Sequence, residues 1–198
     1  QQAADPSCLE LAGAPDRCQF AGVPVRAEGH PIFLSGRPLP FHPLAGRVYF
    51  VDSDGAQWIA PERTLTDGAS IPTIFTPLVG APLQREFQMA AALHDAYCGI
   101  GNEALETFQS RPWQEVHRMF YDALLVGGTP PQRAKIMYAA VYLGGPRWDD
   151  PDRMLDDMPK QMMMHELEAG MHWIMAEDPA PAEIAAWFDK REPAMMAA

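Results

Sequence analysis

The chain has 198 residues, enough for one domain with appendages, and its hydrophobic content of 47% is ordinary for a globular protein. The net charge of −11 argues against nucleic acid or an anionic membrane as a purely electrostatic partner. No run approaches the roughly 18 apolar residues that a membrane span needs, although a lipid substrate reached by other means is not excluded.

The chain opens Gln1-Gln-Ala-Ala-Asp-Pro-Ser7 without Met, as after removal of a signal peptide or trimming of a longer chain. Of its three cysteines, Cys8 and Cys18 are close enough to clip a short loop, and Cys98 is left over. A disulfide there points to an oxidising compartment, periplasmic or secreted; three free thiols in a cytosolic protein is the other reading. Residues 1–30, with Pro6, Pro15 and Pro24, form an irregular arm. From Pro31 to Leu65 the apolar residues favour strands. Pro31-Ile-Phe-Leu34 is one short run, and Gly46 to Val51 is the clearest. The turn signal Asp52-Ser-Asp-Gly55 and the returning run Gln57-Trp-Ile-Ala60 complete a β-hairpin. Thr66-Asp-Gly-Ala-Ser-Ile-Pro72 reads as a loop, in which Asp67 and Ser70 either cap the backbone or line a site.

Helices follow. The first spans Leu83 to Cys98, with an apolar stripe through Phe87, Ala90, Ala91, His94 and Cys98. The second runs from about Pro112 to Val126, capped by Ser110, with its stripe through Trp113, Val116, His117, Phe120 and Leu124. Thr129-Pro-Pro-Gln132 reads as a capping box opening the third, which ends at Gly144-Gly145. Asp150-Pro151 opens another helical region, broken at Pro159 and rich in Met. There Met162, Met163 and Met164 with His165 and His172 are either core filler or soft ligands for copper(I). A short helix follows Pro181, and Pro193 to Ala198 reads as a frayed tail. The fold class is α+β, a small N-terminal hairpin or sheet packed on a mainly helical C-terminal part. The divisions are arm 1–30, core 31–145 and Met-rich extension 146–198.

His94 puts an ionisable ring on an apolar stripe, beside Asp95 and near Tyr97. One reading is a core histidine bonded to a neighbour. The other is a base or metal ligand. His117, on the stripe of the next helix, can face it, with Tyr121 one turn further. His94, His117, Asp95 and Asp67 would give two nitrogen and two oxygen donors, a set suited to a divalent ion, zinc or calcium. Cys98 shares the His94 face, as a nucleophile or as a buried thiol.

The Thr66–Pro72 loop, followed by Ala91-Ala-Leu-His-Asp-Ala-Tyr97 and then Glu115-Val-His-Arg-Met-Phe-Tyr-Asp-Ala-Leu124 before Gly127, resembles the bacterial and phage-encoded domain of unknown function family 1353. The likeness covers roughly residues 31–145. It implies a site at Asp67, His94 and Asp95 without naming a reaction. His117 stands where the family pattern has Asp. A weaker similarity is to secreted phospholipase A-two enzymes. It implies that His94 activates water and Asp95 binds calcium, with His117 again replacing an Asp. The glycine-rich calcium loop of those enzymes is missing unless Thr66–Ser70 substitutes.

The sequence thus leads to two expectations. The first is an exported, metal-assisted hydrolase acting on a cell-envelope component, a lipid ester or a peptidoglycan bond. Its catalytic groups are His94, Asp95 and Asp67; its substrate-binding groups are Ser70, Tyr97 and Tyr121; its metal ligands are His94, Asp95, His117 and Asp67. The second is a non-catalytic binding or structural module in which the same groups lock the loop onto the helices.

Overall fold

The computed structural model describes residues 6–198 except 12, 15, 23–29, 38, 69–70 and 81–86. The hairpin forms where the alternation places it: β3 (Val48–Val51) pairs antiparallel with β4 (Gln57–Ala60), Val48 opposite Ala60 and Val51 opposite Gln57. Val48, Phe50, Trp58 and Ala60 face inward and are buried, the period-two pattern of a sheet with one covered face. The turn is built by Asp52. Its Oδ1 accepts from the backbone N–H of Asp54 and Ala56, both at 2.9 Å, and its Oδ2 accepts from Trp58 Nε1 at 2.7 Å. Gly55 supplies the positive φ of 81° that the turn requires. The strand β1 (Gln19–Gly22) lies on the other side of β3. A separate two-stranded ladder joins β2 (His42–Pro43) to β5 (Leu65–Thr66). Pro31–Leu34 is not a strand; it contributes a single bridge, Ile32 to Phe41.

Among the described residues six helices follow: α1 (Thr76–Val79), α2 (Gln88–Cys98), α3 (Trp113–Val126), α4 (Pro131–Gly144), α5 (Lys160–Glu177) and α6 (Pro181–Met196). The protein is therefore α+β. The expected helical start at Leu83 lies outside the described residues. Every residue from Ala90 to Cys98 is buried, so α2 is covered on all faces. It is the central element, packed against α3, β4 and β5.

Two expected caps are corrected. Ser110 Oγ donates to Thr107 O at 2.7 Å, and the free N–H of Trp113 at the start of α3 is met by Asp149 Oδ1, 36 positions away, at 3.3 Å. Thr129 does not cap α4, whose N-cap position is Pro130. The tail is also more ordered than expected. α6 continues through Pro193 to Met196 because Met195 is buried in the core and Glu192, 4% exposed, pairs with Arg147. Pro193 still removes one helical hydrogen bond, a loss that these tertiary contacts offset. Met163, Leu167 and Ile174 of α5 are core residues, and the core runs on from Cys8 to Met195. Cys8 and Cys18 form a disulfide, and Cys98 is free and buried. The loop they close is tied down by Asp122 of α3, which accepts from Cys8 N and Ser53 N, each at 2.9 Å.

Candidate functional site

Asn102, just beyond α2, brings the loop after β5 to the His94–Asp95 end of that helix. Its Oδ1 accepts from Leu65 N at 2.8 Å; its Nδ2 donates to Leu65 O at 2.8 Å and Asp95 O at 3.0 Å. Asp67, two residues after Leu65, is thereby placed against Asp95. Asp67, His94 and Asp95 line one cavity of about 250 Å³, walled also by Arg37, Thr73, Cys98, Ile100 and the backbone at Gly144–Pro146.

His94 is 3% exposed. Its Nε2 lies 2.9 Å from Nδ1 of His117, whose own Nε2 lies 3.1 Å from Pro146 O. A carbonyl only accepts, so His117 carries its proton on Nε2 and accepts through Nδ1. His94 must then donate through Nε2, which leaves its Nδ1 unprotonated. Burial holds the His94 ring neutral, with its pKa lowered from 6.5 to about 3. Burial and then the neighbouring His94 hold His117 down as well, against the opposing hydrogen bond to Pro146. Gly145 is required here: a Cβ on it would lie 2.8 Å from His117 Nε2 and 2.4 Å from Val141 O.

Asp95 is 6% exposed, and its Oδ2 is buried without a hydrogen-bond partner. Burial, then the adjacent Asp67 charge, raise its pKa well above the usual carboxylate range; the Thr66 hydroxyl and the Arg37 charge oppose this. Asp95 is thus a carboxyl biased toward its protonated form, set beside a second carboxyl and a neutral imidazole. Cys98 Sγ lies 3.5 Å from His94 Nδ1 and 3.4 Å from Nε2. Nearly equal distances put the sulfur over the ring face rather than in line with the Nδ1 lone pair. Its thiol donates to His94 O at 3.2 Å, and burial pushes its pKa up. This is a buried thiol and not an activated nucleophile.

The structure does not bring all the expected site residues together. His117 stands behind His94, not across a cleft from it, and both its nitrogens are committed, so it presents no lone pair to a metal. With His94 Nε2 tied to it, the two imidazoles cannot complete a zinc set with Asp67 and Asp95. Among the described residues no group of three or more His, Cys, Asp or Glu side chains is arranged to hold a metal, and two carboxyls fall short of a calcium shell. The expected divalent ion therefore does not fit these residues as they stand. Tyr97 faces the sheet: its hydroxyl accepts from Ile59 N at 3.2 Å and its ring meets Trp58 edge-on at 4.9 Å. Tyr121 is fully buried and packs on Tyr138 at 5.7 Å. Neither tyrosine lines the cavity. Ser70 lies outside the described residues.

Sequence reasoning missed Arg37, Asn102, Thr73 and the Pro146 carbonyl. Gly144-Gly145 was legible only as a helix stop. The buried Asn102 had a weak signal, an amide inside the turn-rich stretch Gly99-Ile-Gly-Asn102.

Residues 44–141, which hold Asp67, His94, Asp95 and His117, match the model of a family described as a protein of unknown function, DUF1353. The chain is 41% identical over 99 residues to the uncharacterized protein y4iH of Sinorhizobium fredii (strain NBRC 101917 / NGR234), a match covering 50% of this chain and 38% of that protein. It is 33% identical over 126 residues to the uncharacterized protein y4jT of the same organism, covering 64% of this chain and 35% of that protein. The matches thus span less than two-fifths of either relative. No solved structure matches the chain. Through residues 44–141 the chain belongs to the DUF1353 family of proteins of unknown function.

Proposed function

We propose that the cavity is the catalytic site of an exported hydrolase acting on a cell-envelope component. The observation that carries this reading is the convergence of Asp67, Asp95 and His94 on one cavity of about 250 Å³, with burial raising the Asp95 pKa and lowering that of His94. Titratable groups whose environments push their pKa values apart are the usual mark of an acid and a base working together. In the proposed reaction, a water gives a proton to His94 Nδ1 while its oxygen attacks the carbonyl of an ester or amide. Asp95 passes its proton to the leaving oxygen or nitrogen as that bond breaks. The imidazolium and the carboxylate arise side by side and offset one another, so neither stands alone in a dry cavity. Proton return from His94 to Asp95 restores the starting state. His117 and the Pro146 carbonyl fix the His94 tautomer, as a third group does in other hydrolases. The Cys8–Cys18 disulfide supports export.

The closed chain from His94 through His117 to Pro146 equally supports the other reading, a polar lock without chemistry. Assays of purified protein on envelope phospholipid and on peptidoglycan decide between them. Hydrolysis lost by ~10²-fold or more in both His94→Gln and Asp95→Asn is expected. Activity unchanged in either folded variant, or absent from the wild-type protein on both substrates, defeats the hydrolase reading.

A further inference from the structure

A second chamber of about 240 Å³ adjoins the catalytic cavity. Arg37, Pro72, Thr73, Gly144 and Gly145 line both, so the two meet along one wall. Together they reach the scale of small-molecule sites, roughly 300 Å³ and upward. They differ in chemistry. The first holds Asp67, His94 and Asp95, whereas the second has Ile74, Leu143, Leu155, Met158 and Met163. Leu143, Leu155 and Met163 are buried and Ile74 and Met158 half-buried, so its inner wall is apolar. Its charged residues Arg37, Asp156 and Lys160 are exposed and stand at the rim. Arg147 also lines it, but that guanidinium is bound to Arg153 O and Glu192, both at 2.8 Å, and to Tyr142 O at 3.1 Å.

Two further features point to an aliphatic guest. Met154, Met158 and Met163 are all in the lining, and unbranched thioether side chains adapt to an irregular, flexible chain. Ile100 on the catalytic cavity and Met154 on the second chamber are each 46% exposed. A single exposed apolar side chain is ordinary, but here one stands on each of two adjoining chambers, where an entering apolar substrate would meet it. A sugar or a peptide would instead set hydrogen-bonding groups against the apolar inner wall, at a cost in desolvation.

We infer that the second chamber is an acyl-chain site and that the substrate is a lipid ester. The inference rests on the hydrolase reading for the bond that is cut. The ester carbonyl sits at His94 and Asp95, and its chain lies against Leu143, Leu155 and Met163. The water oxygen bonds to the carbonyl carbon, the ester C–O bond breaks, and the proton from Asp95 goes to the departing alcohol. The products are a fatty acid and that alcohol.

Amide NMR of the labelled full chain with the octyl ether of glycerol, below its micelle concentration, tests this, because an ether is not hydrolysed. Saturable shifts are expected at Ile74, Met158 and Met163. Affinity should rise about fourfold for each methylene added between the butyl and the octyl ether. It should fall about tenfold or more in Ile74→Trp, which fills the chamber, and in Met158→Gln, which sets an amide on its wall. Met158→Gln decides the matter if Ile74→Trp does not fold. Met175→Gln, at an exposed position of α5 that lines neither chamber, should bind like the wild type. Affinity independent of chain length, or unchanged in the folded chamber variants, overturns the site. So does displacement of the octyl ether by muramyl dipeptide, which would favour a peptidoglycan bond. The two readings fail separately. Ether binding without hydrolysis of any acyl ester leaves the acyl-chain site standing and defeats the hydrolase. Hydrolysis of peptidoglycan without chain-length-dependent binding does the reverse.

Discussion

Replacing Asp95 with Asn should stabilise the protein by an amount that grows with pH. Asp95 is 6% exposed, its Oδ2 is unpartnered and Asp67 adds a like charge, so its folded pKa lies well above 3.8. The unfolded chain therefore releases this proton first. Below about pH 3.8 both states hold it and the group has no effect on stability. As pH rises, the folded protein is penalised by about 1.4 kcal/mol per unit until the folded carboxyl ionises. Asn has the same shape and no such proton, so the advantage of the variant should be small at pH 4 and should grow as pH rises from there. His94 and His117 act the other way. Their folded pKa values are lowered, so their contribution is whole above pH 6.5 and is lost progressively as pH falls below it, but it is common to both proteins and cancels in the difference. Urea unfolding of both proteins at pH 4, 5 and 6 measures this directly. A difference that stays flat across that range would mean that Asp95 is ionised in the folded protein, and the acid assigned to the cavity would be lost with it.

His117→Phe keeps a ring among Trp113, His94 and Trp148 but strands His94 Nε2–H and Pro146 O. It should cost about 2–4 kcal/mol in urea unfolding, and a cost under about 0.5 kcal/mol would contradict the hydrogen-bonded chain. Non-reducing denaturation should expose one thiol, Cys98. Reducing the ten-residue Cys8–Cys18 bridge should lower stability by roughly 2–3 kcal/mol in the chain-entropy account.

The hairpin was legible because Val48, Phe50, Trp58 and Ala60 alternate about a turn that Asp52 and Gly55 specify locally. α3 was legible because one stripe through Trp113, His117 and Phe120 fixes its buried face. The meeting of Asp67 with His94 and Asp95 follows from inward-facing polar residues on neighbouring segments. What stayed hidden rests on long-range contacts. The cap of α3 comes from Asp149, and α6 outlasts Pro193 because Glu192 finds Arg147 and Arg153. The role of His117 was misread because a helical stripe tells that a ring points inward, not which of its nitrogens meets what. The Pro146 carbonyl that fixes the tautomer has no signature in residue type.

Asn102 occupies the place of a missing strand. Its amide gives and takes one hydrogen bond with the main chain of Leu65, 37 residues away, as a sheet neighbour would. When this junction parts, Asp67 leaves Asp95 and water reaches the Asp95 carboxyl, which then loses the burial and the like charge that raise its pKa. The working lifetime of the cavity is then set by a local opening of one side chain's bonds, which can be far more frequent than unfolding of the helical core.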